Sequence, residues 1–61
     1  MMDPIKTAEY ARALLDAHGD AAEVEAARRM RECEAAGKTA EAEDWKRIRL
    51  AVSEMRGPRQ G

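Results

Sequence analysis

Phenylalanine is absent from this chain, and its aromatic side chains amount to one tryptophan and one tyrosine. A core must therefore be filled by aliphatic residues, and bulky ones such as Ile48, Val52 and Leu14 are sparse. Much of the 44% hydrophobic content is alanine, which buries little area per residue. Cys33 is the single cysteine, so an internal disulfide cannot staple the fold. With His18 as the single histidine, the usual four-ligand Cys/His zinc site cannot be built from these residues either. Serine occurs once, as Ser53, with no histidine near it in sequence to act as its base. These shortages argue against an enzyme and leave no expected metal or cofactor. A chain of 61 residues makes one small domain, whose core supplies only roughly 3–5 kcal/mol net. We assign residues 1–61 to that domain, with a frayed tail at about 57–61.

Long apolar runs are missing too. Nothing approaches the roughly 20 residues that a membrane span requires, and "MMDPIKTAEY" has no apolar stretch of the kind a signal peptide carries. With one unpaired cysteine, a reducing cytoplasm is the expected compartment. What the chain has in quantity is charge of both signs. Eleven Lys and Arg stand against twelve Asp and Glu, for a formal net charge of −1. That balance describes solvated helix surfaces, not a strongly basic nucleic-acid binder.

No segment alternates apolar and polar residues over a strand's length. Helix formers dominate, and the breakers punctuate them. Asp3-Pro4 supplies an N-cap followed by proline at the first helical position, where its missing N–H is harmless. Gly19 can end that helix in a left-handed cap, and Asp20 can cap the next, with Glu23 completing an acidic capping box. Gly37 repeats the stop, Thr39 is the natural cap of a third helix, and Gly57-Pro58 closes it. The prediction is an all-α, three-helix arrangement over about 4–18, 20–36 and 39–56, with an antiparallel hairpin turned at Gly37. Apolar spacing agrees. Ala8, Ala11, Leu14, Leu15 and His18 share one face, Ala22, Ala26, Met30 and Cys33 a second, and Trp45, Ile48, Val52 and Met55 a third. Trp45 is expected to be the central anchor, packed against the small residues of helix 2.

The segment "GDAAEVEAARRMR" (19–31) is echoed by "GKTAEAEDWKRIR" (37–49). The shared letters are those of a helix start. A glycine ends one helix, glutamates follow near the positive pole of the next dipole, and arginines lie further along. Glu25–Arg29 and Glu43–Arg47 are i,i+4 pairs in the favourable orientation. Shared helix-start chemistry is preferred over an ancient duplication or a paired binding surface.

Few motifs carry chemistry. His18 reads as a helix-end or packing residue, and Cys33 as a small buried hydrophobe. "GKT" at 37–39 lacks the upstream glycine and preceding strand of a phosphate loop. Arg28 and Arg31 on helix 2, with Lys46 and Arg49 on helix 3, form a candidate phosphate-binding ridge. Interspersed carboxylates and the scarcity of aromatics to stack bases count against it. Val24 and Leu50 project away from the seams of their helices, and Leu50 beside Arg47 is the better candidate for an exposed apolar contact.

The glycine-turned hairpin, with Ala42 and Trp45 after "GKTAE", resembles a tetratricopeptide-type helix pair, which implies helix packing alone. Over most of its length, through "EYARALLDAHGD" and "AEDWKRIRLAVSEMRGP", the chain resembles small helical proteins of alphaproteobacterial type to which no activity is attached. The function expected is that of a non-enzymatic protein-interaction module, acting as a homo-oligomer, an accessory subunit or a small inhibitor of a larger complex. Its partner is another protein or a second copy, bound through Trp45, Arg47, Leu50 and Met55. The alternative is a nucleic-acid-associated regulator using the ridge on helices 2 and 3.

Overall fold

A computed structural model describes residues 3–56. Three α-helices fill almost all of that span: α1 (Pro4–His18), α2 (Ala22–Ala35) and α3 (Thr39–Met55), with one 3-10 turn (Gly19–Ala21) between the first two. No strand occurs among the described residues. The expected closure at Gly57-Pro58 and the tail at 57–61 lie outside them.

The start of α1 is as the sequence predicts. Asp3 is extended, and its carboxylate accepts the Lys6 N–H at 2.8 Å, with Pro4 at the first helical position. Gly37 also ends α2 as expected, at φ +77°. The Lys38 N–H donates to the Cys33 carbonyl (2.8 Å) and the Gly37 N–H to that of Glu34 (3.1 Å), which together make a Schellman closure.

Two other caps differ from expectation. Gly19 has φ +59° but ψ −130°, which is not the left-handed helical conformation. The chain passes from it directly into the 3-10 turn, so α2 begins at Ala22 and not at Asp20. Ala21, at the cap position, already has helical dihedrals, and the Ala22 N–H bonds back to the Gly19 carbonyl. An N-cap side chain works from extended backbone, which the chain does not adopt at the start of α2, so Asp20 has no capping role. At α3 the Schellman closure brings the chain round one residue early. Lys38 takes the cap position without a side-chain bond, and Thr39 becomes the first helical residue.

α3 is the central element, packed extensively against both α2 and α1, whereas α1 and α2 touch each other far less. α2 and α3 run antiparallel. Cys33 lies beside Glu41 near the turn, and Arg56 reaches back to Glu23 near the start of α2. The described residues span 37 × 21 × 20 Å.

Ala11, Ala22, Ala26, Ile48 and Val52 form the buried cluster, with Leu14, Leu15, Trp45, Ala51 and Met55 packed round it. Ala42 is buried as well. The seams of α2 and α3 are therefore those expected. The face of α1 is rotated: Thr7 is buried, whereas Ala8 and His18 are exposed. Thr7 avoids an unsatisfied hydroxyl by donating to the Asp3 carbonyl at 2.9 Å, which lets a polar residue face the core. Trp45 does lie between helices, touching Tyr10 of α1 and Arg29 of α2 and packing against the cluster, but it is only half-buried, and Ile48 and Val52 are the largest side chains fully inside.

Candidate functional site

The uncovered surface of the α2–α3 pair carries the densest chemistry. α1 packs on α3 from elsewhere, leaving an open groove of about 380 Å³ between α2 and α3. Val24 and Ala27 are its apolar residues, and Val24 is 70% exposed. Asp20 and Glu23 lie towards the start of α2, Arg28 and Arg31 further along it, and α3 contributes Arg49 and Arg56.

These charges are unequally satisfied. Arg56 bonds Glu23 at 3.0 Å and stands 3.5 Å from Asp20, tying the end of α3 to the start of α2. Arg28 lies between Glu25 (2.7 Å) and Glu32 (2.6 Å), and this company raises its pKa, the hydrogen bond to Glu25 most of all. Glu25 also takes the Arg29 Nε at 3.0 Å. Its carboxyl pKa is correspondingly lowered, by the hydrogen bond from Arg28 first and that from Arg29 second. Arg31 and Arg49 make no ion pair among the described residues. Of the phosphate-binding candidates, Arg28, Arg31 and Arg49 thus come together in one groove. Lys46 does not line it.

The four residues expected to bind a partner are not brought into one patch. The Trp45 ring meets Tyr10 edge-to-face at 5.4 Å between centroids, and the Arg29 guanidinium lies 5.7 Å from its centre. These contacts use the indole within the fold. Met55 packs against the core. Leu50 is 56% exposed, and at about 100° per residue it projects some 140° round α3 from Trp45. Arg47 lines a different depression of about 630 Å³, between α3 and the first turns of α1, together with Thr7, Ala8, Ala51 and Glu54. It pairs with Asp44 at 3.5 Å, one position beyond the predicted Glu43.

Sequence reasoning noted Val24 but did not join it to Arg28, Arg31, Arg49 and Arg56. Helical spacing supplies part of that signal, since residues 20, 23, 24, 27, 28 and 31 follow i,i+3/i+4 steps along one side of α2. The contribution from α3 depends on how the hairpin packs.

Cys33 is half-buried, and removal from water, followed by the nearby Glu41 carboxylate, raises its pKa. It is a thiol at neutral pH, and a poor nucleophile for that reason. Among the described residues no group of three or more His, Cys, Asp or Glu is placed to hold a metal ion. No helix among them is long and apolar enough to cross a membrane. No protein-family model, curated protein or solved structure matches the chain.

Proposed function

We propose that the chain is a non-enzymatic, cytoplasmic protein-interaction module, serving as a homo-oligomer, an accessory subunit or a small inhibitor of a larger complex. The observation that carries this reading is Val24, 70% exposed in a groove whose Arg31 and Arg49 make no ion pair among the described residues. An exposed aliphatic side chain rimmed by unsatisfied arginines is the surface a protein partner covers, because apolar contact and charge pairing are gained together. Leu50, exposed on α3 outside the groove, is a second point of contact that a larger partner would reach.

Tagged chain and its Val24→Glu variant, used to capture proteins from lysate of the source cells, test the reading. A protein retained by the parent and lost with the variant is the expected result. Equal retention by both removes the groove from the interaction.

The second reading, a nucleic-acid-associated regulator, is favoured by the convergence of Arg28, Arg31 and Arg49 on one groove. Against it, Asp20 and Glu23 share the same groove, and Glu25 and Glu32 already neutralise Arg28. Binding to a mixed-sequence duplex whose affinity falls steeply with salt would favour it.

A further inference from the structure

The order of residues along the exposed side of α2 has a property that neither the groove nor the composition makes obvious. From the 3-10 turn onward the order is Asp20, Glu23, Val24, Ala27, Arg28, Arg31: two acids, two apolar residues, two bases. Reversed end for end, this stripe is its own complement. A twofold axis passing between Val24 and Ala27 sets Asp20 opposite Arg31, Glu23 opposite Arg28, and Val24 opposite Ala27. A C2 interface requires this relation, in which residue i meets j and j meets i.

We propose that two copies of the chain associate through α2, packed antiparallel about that axis; the proposal rests on the protein-interaction reading and names its partner. The two members of the outermost pair are the ones the monomer leaves available. Among the described residues Arg31 has no ion pair, and the side chain of Asp20, 99% exposed, is approached only by Arg56 at a long 3.5 Å. Val24 is 70% exposed, and Ala27 opposite it is small enough to admit the valine and bring the two backbones close. A uniformly acidic peptide would place its charges against Asp20 and Glu23, and a phosphate backbone would do the same. A second copy satisfies both ends of the stripe at once.

The stripe covers about 17 Å of helix, so the buried area falls in the class of weak, reversible interfaces. Sedimentation equilibrium of the purified chain at low salt, from about 10 μM to about 1 mM, spans that class. The expected result is a monomer–dimer equilibrium within this range.

Charge exchange then tests the pairing. Arg31→Asp alone sets a carboxylate against a carboxylate at both symmetric places, and Asp20→Arg alone sets a guanidinium against a guanidinium. Each weakens the dimer by about tenfold, because an attraction becomes a repulsion at two symmetric places. The double variant Asp20→Arg/Arg31→Asp restores the pair with its polarity inverted and recovers the parent's affinity. Both positions are exposed, and circular dichroism of each variant confirms that the helices persist. A monomer throughout the concentration range overturns the proposal, as does a dimer in which the two single changes are indifferent or the double change fails to rescue. Capture of a foreign protein through Val24 by a chain that stays monomeric would sink the self-association alone, leaving the interaction-module reading intact.

Discussion

At the scale of the residue, burial and not size decides what holds this chain together. Ile48 is 1% exposed and Val52 is fully buried. Ile48→Ala should cost about 2–5 kcal/mol, comparable with the roughly 3–5 kcal/mol expected for the whole domain. The variant should lose its cooperative urea transition. Tyr10, by contrast, is 44% exposed and meets Trp45 only edge-to-face. Tyr10→Ala should lower stability by about 0.5–1.5 kcal/mol for the lost aromatic pair, leaving the transition cooperative and shifting Trp45 fluorescence. Helical spacing made Ile48, Val52, Ala22 and Ala26 legible as core residues. It did not show that Thr7 would displace Ala8, because a hydroxyl reads as polar until its bond to the Asp3 carbonyl is seen. Nor did it show that Trp45 stays partly exposed, since periodicity fixes a face but not the depth of a side chain within it.

The two glycines show the same distinction at the scale of the element. The sequence echo gives Gly19 and Gly37 equivalent places, and both have positive φ. Their turns nevertheless differ. Gly37 closes a Schellman motif, whose left-handed conformation asparagine also tolerates, whereas Gly19, at φ +59° and ψ −130°, occupies backbone space that a Cβ strongly disfavours. A methyl at either position would meet nothing within 4 Å, so any penalty comes from the backbone alone. Gly37→Ala should cost about 1 kcal/mol and Gly37→Asn less. Gly19→Ala should cost more, in the range of about 1–3 kcal/mol for a strained backbone. Thermal melts of the three variants order them directly. Charge on α2 gives a further test. Arg28 and Arg29 hold the Glu25 carboxyl below its usual range. A depressed carboxyl pKa contributes stability that is fully present above the unfolded value, about 4.3, and is lost as pH falls through the folded one. An NMR titration should therefore find Glu25 protonating below the usual carboxylate range, and Arg28→Ala should move it back upward. Helical spacing predicted the Glu25–Arg29 pair but not the Arg28 bridge to Glu25 and Glu32, nor the choice of Asp44 by Arg47.

For the whole molecule, the number of helices was legible from the breakers, but the arrangement was not. Each helix has one apolar face, and nothing in periodicity says which of them lies between the other two. α3 takes that place because it alone offers two fully buried branched side chains, Ile48 and Val52, to neighbours whose own buried residues are mostly alanine. Placing α1 against α3 is also what leaves Val24 and the arginine groove uncovered, and this is why the candidate surface could not be assembled from sequence alone. A core so limited makes the folded monomer marginal, so occupation of that surface should be visible in stability itself. Binding that favours the native state raises its stability by mass action, and the melting temperature of the parent should increase with chain concentration. The increase should diminish with added salt, because the pairs proposed for the α2 interface are exposed and a Debye length of about 8 Å at physiological ionic strength already screens such charges. Leu50→Glu, on α3 outside the groove, should leave the concentration dependence unchanged, whereas Val24→Glu should abolish it. A concentration-dependent melt that survives Val24→Glu but is lost with Leu50→Glu would move the interface from α2 to the Leu50 face of α3.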